Sequence, residues 1–283
     1  MTSRAPAGEP PTDPPTDPPP ARNEPPSFDI SRAHPARIYD YWLGGRDNYE
    51  ADRVAAELAI QADPAIVPGV RANRAFLRRA VQYLAGEAGI RQFLDIGTGL
   101  PTADNTHEVA QAVAPESRIV YVDNDPIVMA HARALLDSTP QGATAYIQAD
   151  ARDPAAILRE AAQTLDVSQP VAVMLLMIMQ YIPDAGGPRQ IVSGLAHAVP
   201  PGSYLALSTV TRDIVADRIT EGAARLNRRM GTASITLRTR EEIAGFFDGL
   251  DLVEPGLVHL PAWRAVSAPG NWMPAYAGVA RKP

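Results

Sequence analysis

The residues of this chain best suited to chemistry are three acids, each placed just after or at the end of an apolar run, and a glycine turn between the first two. RQFLDIGTGLPTADN, Arg91 to Asn105, carries Asp95 into Gly97-Thr98-Gly99. Glycines there let the backbone turn sharply and approach a ligand with no Cβ in the way. Further on, RIVYVD ends in Asp123 and is followed by Asn124, and YIQADARD presents Asp150 and Ala151. An acid in the position of Asp123 accepts hydrogen bonds from two ribose hydroxyls, a role common to nicotinamide dinucleotides and S-adenosylmethionine. Asp150 and the Ala151 N–H suit an adenine edge. In a dinucleotide fingerprint a third glycine would fall at position 102, packing the helix on the strand and aiming it at a pyrophosphate. Thr102 stands there instead, after Pro101. Asn105 and Glu108 have capping-box spacing, so the helix starts only after a long loop. That suits a bulkier, zwitterionic group better than a pyrophosphate.

The elements that must position these groups alternate strand and helix after Gly89, the pattern of parallel βα units. Strands are expected near 92–96, 118–123, 143–148, 170–178, 203–210, 251–260 and 273–280. Helices are expected near 105–113, 126–137, 153–163, 186–198, 212–230 and 239–248. VAVMLLMIM, 171 to 179, is apolar throughout and reads as a central strand covered on both faces. The last two strands are joined only by a Pro/Gly/Ser-rich loop and are expected to be antiparallel, since a parallel pair needs a crossover. Seven strands ending this way differ from the six parallel strands of a dinucleotide fold.

Residues 28–89 read as helices forming an N-terminal cap, and 90–283 as a Rossmann-like core, together one domain. VRANRAFLRRAVQYL sets Phe76, Ala80 and Leu84 on one helical face and Arg71, Arg74 and Arg78 on another, which reads as a solvated stripe. Residues 1–27 are expected to be a disordered Pro-rich tail: ten prolines fall within the first 26 residues, with almost nothing to bury.

Composition narrows the chemistry. A net charge of -6 offers no general attraction to a polyanion, so no nucleic acid is expected as partner. The absence of cysteine removes thiolate metal sites and a cysteine nucleophile, and Lys282 is the only lysine, which removes Schiff-base chemistry from the fold. The five histidines show no paired metal spacing, so no metal is expected. The N-terminus lacks the features of a signal peptide and the longest apolar run is too short to span a bilayer, giving the expectation of a cytoplasmic protein without a membrane partner.

Taken together, DIGTGLP, VYVDNDP and YIQADARD resemble the first three motifs of class I S-adenosylmethionine-dependent methyltransferases. With HPARIYDYWLGGRDNYEADR, RANRAFLRRAVQYL and the final YAGVARK, the chain from about Phe28 to its end resembles the actinobacterial S-adenosyl methyltransferase family formerly catalogued as a domain of unknown function. The resemblance implies an α/β, Rossmann-like class I methyltransferase fold with a seven-stranded, mostly parallel sheet, an antiparallel last strand and a helical N-terminal extension. It implies S-adenosylmethionine as methyl donor, with Asp95, Gly97, Thr98 and Gly99 around the methionine moiety, Asp123 and Asn124 at the ribose, and Asp150 with Ala151 at the adenine.

Methyl transfer from a sulfonium is a displacement by an already activated reagent, so alignment can supply ~7–11 kcal/mol and a general base is optional. The sequence after the fourth strand, MQYIPD, lacks the Asn/Asp-Pro-Pro-aromatic run of enzymes that methylate adenine, cytosine or glutamine nitrogens, which points to a small-molecule acceptor. Gln180 and Tyr181 either orient that acceptor or simply end the strand. His107, just inside the helix after the glycine loop, is a candidate base. Tyr41 and Asp47 belong to an aromatic-rich stretch around Gly44-Gly45 that reads as a lid over the pocket. The alternative is a regulator that binds the same cofactor without transfer.

Overall fold

The computed structural model describes residues 29–135, 138–214, 216–229, 234–266 and 274–283. The expected proline-rich tail lies outside the described residues. Five parallel strands form the centre of the sheet: β1 (Gln92–Ile96), β2 (Arg118–Asp123), β3 (Ala143–Gln148), β4 (Ala172–Leu176) and β5 (Tyr204–Val210). Two short strands, β6 (Asp251–Leu252) and β7 (Val258–His259), and the long β8 (Ala275–Arg281) complete it. The sheet path is β3-β2-β1-β4-β5-β8-β6, with β7 as a further partner of β8. β8 runs antiparallel to β5, from Tyr204↔Arg281 to Val210↔Ala275. Strand order reverses between β1 and β4, so their carboxyl ends flank the crevice where open α/β sheets take ligands.

Side chains alternate across the sheet and build two cores. On one face Phe93, Ile119, Tyr121 and Met174 pack with Val109 and Ala110 of α4 (Thr106–Val113), Ala132 of α5 (Pro126–Leu135), and Phe76 and Leu77 of an N-terminal helix. On the other face Leu94, Val120 and Val173 meet Ile157 of α6 (Pro154–Ala161), Ile191 and Leu195 of α7 (Pro188–Ala198), and Ile243 of α9 (Arg240–Ala244). β1 and β4 are therefore buried at every position, as strands covered on both faces should be.

Three N-terminal helices, α1 (Pro35–Leu43), α2 (Glu50–Ala62) and α3 (Ile66–Gln82), form the cap layer. α1 starts where Pro35 presets the first turn, and it stops at Gly44, whose φ of 85° only glycine adopts freely. Ile38, Trp42, Ala55, Ala56 and Ala59 make a separate small core with Leu226 of α8 (Ala216–Asn227). Asp52 is fully buried there, taking the His34 N–H at 2.8 Å, the Tyr49 N–H at 2.9 Å and the Arg37 guanidinium at 3.0 Å.

Four boundaries differ from expectation, each for a local reason. The sixth strand, expected over 251–260, is cut into β6 and β7 by a turn holding Pro255 and Gly256, the latter at φ 84°. Proline has no N–H for the ladder and a left-handed residue leaves the strand direction. β4 stops at Leu176 because Met177 turns to φ 55°, an uncommon conformation for a bulky residue, held by its N–H bonds to the Ser208 carbonyl and hydroxyl. The helix expected over 212–230 spans Ala216–Asn227, since Arg212 is instead drawn to the Arg238 carbonyl. α9 ends early and tightens into a single turn at Gly245–Phe247.

Candidate active site

The glycine turn closes over the end of β2. Gly97, at φ 75°, and Thr98 both donate to the Val122 carbonyl, at 2.8 and 3.2 Å. A Cβ on Gly97 would come within 2.5 Å of the Ile178 side chain, whereas nothing lies within 4 Å of one built on Gly99. The first glycine therefore serves close packing and the second leaves open space. Gly99 donates its N–H to Asp123 Oδ2 at 2.9 Å, and the Asp125 N–H reaches Oδ1 of the same carboxylate at 2.9 Å. Burial raises the Asp123 pKa, while those two N–H bonds oppose the rise. Asn124, beside it, is exposed.

Asp125 is the link to the cap. Its Oδ1 accepts the Ile127 N–H at the start of α5, and its Oδ2 lies 3.0 Å from His34 Nδ1. Burial pushes this carboxyl up, but the His34 ring and the backbone bond outweigh it, and its pKa falls below the ordinary value. Tyr49 of the cap packs with Leu100, Ile127 and Met129 on the same side of the site.

Asp95 is buried at the end of β1 and accepts the Thr106 hydroxyl at 2.6 Å. Burial lifts its pKa to about 6, against the Thr106 bond and the attraction of Arg74, and with a further push from Asp123. Thr106 is placed by its neighbour: Asn105 caps α4, with its N–H bonded to Glu108 and its side chain closing the first turn. Arg74 of α3 spans to the far side of the loop, its Nη2 donating to the carbonyls of Ala103 at 2.9 Å and Asp104 at 2.7 Å. Arg78 reaches the Asp104 carboxylate at 3.4 Å. Arg74 is thus a clamp on the glycine loop, whereas Arg78, exposed in its long ion pair, and Arg71 keep the solvated character expected of the stripe.

Asp150 lies at the third strand end, with both oxygens taken by the Arg152 guanidinium, which holds its pKa below the ordinary value. Ala151 is half-buried beside it. The remaining candidates are held by other partners. The Tyr41 hydroxyl turns to Glu57 of α2. Asp47 gives its N–H to Asp40 at 3.0 Å and sets its carboxylate 3.6 Å from His131 Nδ1. Asp40 also accepts the Asn48 amide at 2.8 Å, and a side chain at Gly45 would collide with its carboxylate, so the glycine pair is braced from beneath. His107 Nδ1 lies 2.8 Å from the Tyr121 hydroxyl. Gln180 donates to the Met177 carbonyl at 2.8 Å and accepts from Thr209, holding the end of β4 to β5. Tyr181, its pKa pushed up to about 12 by burial, packs into the cap core near Tyr39.

Sequence reasoning missed several residues that assemble here. Tyr39 donates to the Val70 carbonyl and accepts from Asn73, while Asn73 accepts the Ser208 hydroxyl at 2.8 Å, joining α1, α3 and β5 under the cap. Arg238, nearly fully buried, donates to the carbonyls of Met179 and Ile182 and to Asp184, pinning the segment after β4. None of these stands in a recognisable spacing. A separate cavity of about 520 Å³, lined by Arg91, Gln92, Arg118 and Tyr204 among others, opens at the amino ends of the strands, opposite the acids.

The sequence profile of the S-adenosyl methyltransferase family matches residues 21–283. The chain belongs to that family. Its cofactor is S-adenosylmethionine. A crystal structure of a DUF574 family protein from Streptomyces avermitilis is 47% identical, covering 90% of this chain and 99% of its own, with a TM-score of 0.87. A Thermobifida fusca protein, provisionally named a methyltransferase, is 41% identical over 90% of this chain and 96% of its own, with a TM-score of 0.82. An O-methyltransferase family protein from Burkholderia thailandensis, at 14% identity and a TM-score of 0.51 over 86% of this chain and 63% of its own, shares the fold alone. No curated protein matches the chain. Among the described residues no helix is long and apolar enough to cross a membrane, and no group of three or more His, Asp or Glu is placed to hold a metal ion.

Proposed function

We propose that this family member transfers a methyl group from S-adenosylmethionine to a small-molecule acceptor. The observation that carries this reading is the convergence of two buried carboxylates, Asp95 and Asp123, on a glycine turn at the carboxyl ends of β1 and β2. The residues fit the cofactor. Each oxygen of Asp123 has accepted one backbone N–H and keeps capacity for a ribose hydroxyl. Open space adjoins Gly99, and a buried acid, Asp95, stands where an ammonium group would be welcome. Asn124, Asp150 and Ala151 are assigned to the nucleoside side, Gly97 and Thr98 to the methionine side.

When bound, the cofactor supplies a methyl group already activated on a sulfonium. The protein then has to bind, orient and exclude water. Gln180 is a positioning residue, since both ends of its amide are committed to holding β4 and β5. Tyr41 and Asp47 brace the cap, and His107 and Tyr181 are assigned to shaping the pocket walls. The cap fastened over this end by His34, Tyr39 and Asn73 favours a small acceptor over a polymer, as does the net charge of -6. We further take residues 28–283 as one domain, with 28–89 as cap and 90–283 as core, acting in the cytoplasm.

The test is transfer of a radiolabelled methyl group into an extract of the native host, separated into low-molecular-weight and macromolecular fractions. Label is expected in the small-molecule fraction. Label confined to protein or nucleic acid would refute the acceptor class, and tight cofactor binding with no label in either fraction would refute transfer.

A further inference from the structure

Arg74 has more hydrogen-bonding capacity than the loop uses. A guanidinium carries five N–H donors. In Arg74, Nη2 serves two loop carbonyls, while Nε is buried with no hydrogen-bond partner. Buried donors left without an acceptor are uncommon in folded proteins and call for an explanation. Among the described residues no carboxylate lies within salt-bridge distance of Arg74, in contrast to Arg78, which is paired with Asp104. Yet the Arg74 charge is felt at Asp95 and, on either side of α3, at the buried Tyr121 and at Tyr39. It is therefore a cation without an ion-pair partner among the described residues, held on the glycine loop by its two carbonyls.

Asp95 presents the opposite case. It is an acid buried in a position that resists ionisation, with Oδ2 taken by Thr106. A buried acid in want of a cation and a guanidinium in want of an anion, facing one loop, together fit a ligand with both charges on one small group. An α-amino acid has that form, with its carboxylate and ammonium on the same carbon.

We propose that Arg74 receives the carboxylate of the cofactor's amino-acid end, with Asp95 receiving its ammonium group. This inference rests on the cofactor reading above. It gives the cap a direct part in cofactor binding: Arg74 sits on α3, so the helix that bears Tyr39's partner Asn73 also carries the anion receptor. Arg74 is a binding residue that makes the site selective for an amino-acid-bearing nucleoside.

The experiment is calorimetric titration of two ligands into the full chain. S-adenosylhomocysteine has the amino-acid end; 5′-methylthioadenosine has the same nucleoside and thioether without it. Arg74→Met should weaken S-adenosylhomocysteine by roughly tenfold to a hundredfold, the range for one hydrogen bond to a charged group, and leave methylthioadenosine unchanged. Arg74→Lys, which keeps the charge but not the fork, should fall between. An equal loss for both ligands would show that Arg74 only staples the loop, and an unchanged S-adenosylhomocysteine affinity would also overturn the proposal. Should the variants fail to fold, the wild-type protein decides alone: decarboxylated S-adenosylhomocysteine should bind more weakly by a similar factor, and equal affinity would overturn the assignment. A wild type that binds neither adenosine ligand would sink the cofactor reading itself, a result distinct from either failure of Arg74.

Discussion

Asp95→Asn should make the free protein more stable and the cofactor site worse. In the wild type this carboxyl is buried and its pKa is raised from 3.8 to about 6. The protonated form is thus favoured in the fold, and the associated stability is fully present below about pH 4 and lost as pH rises through about 6. The difference between the two values corresponds to roughly 3 kcal/mol of native-state stability forfeited above about pH 7. Asparagine keeps the shape and an oxygen for the Thr106 hydroxyl at no cost of ionisation. Urea denaturation at a series of pH values should therefore find the variant more stable than wild type by up to about 3 kcal/mol near neutrality, with a melting temperature higher by roughly 6–12 °C. The two curves should converge below about pH 4, where both residues are neutral. Asp40, also raised by burial, is common to both proteins and cancels in the difference, whereas relief of the Asp123 repulsion is part of the expected gain. S-adenosylhomocysteine affinity should fall in the same variant. A gap that is absent near neutrality, or that persists unchanged into acid, would refute the reasoning.

Asp123→Ala should lower cofactor affinity by a hundredfold or more, since two hydrogen bonds to a charged acceptor are worth about 1.5–3 kcal/mol each; unchanged calorimetric affinity would remove Asp123 from the ribose. Gly97→Ala and Gly99→Ala both place a side chain at positive φ, costing roughly 1–2 kcal/mol, but only the first also drives a Cβ into Ile178. Urea midpoints should therefore fall further for Gly97→Ala, and an equal loss would show that packing against Ile178 is slack. Tyr41→Phe removes a hydroxyl whose partner is the exposed Glu57, so melting temperature should move by less than about 2 °C and methyl transfer should be unchanged. A large loss of transfer would return Tyr41 to the reaction.

The core of the fold was legible because its signals are short-range. Five apolar runs ended near the strands they form, and the Asn105–Glu108 spacing placed the start of α4 correctly. Asp95, Gly97, Gly99 and Asp123 were likewise legible, since a strand end and a glycine turn place them without reference to anything distant. Arg74 was misread as solvated because helical spacing tells which residues share a face and not what that face meets. Its partners, the carbonyls of Ala103 and Asp104, are about thirty positions away and backbone atoms have no residue type. His34 and Ser208 escaped for the same reason: each acquires its role from a residue on another element. The division of the sixth strand was foreseeable from Pro255-Gly256, a pair that the apolar run around it obscured.

α3 reaches further than the site. Beyond Asn73 and Arg74, its next turn sets Phe76 edge-on to the fully buried Trp263 at 5.4 Å, and Arg79 donates to the Trp263 carbonyl at 2.7 Å. Arg79 and Trp263 are separated by 184 positions, so they meet only when almost the whole chain has been made. During synthesis α3 emerges early and finds packing on β1, β2 and α4, but its Trp263 side stays open until residue 263 has left the ribosome. A chain ending before Trp263 would hold β1 to β5, with Phe76 and Arg79 of α3 still without that last partner.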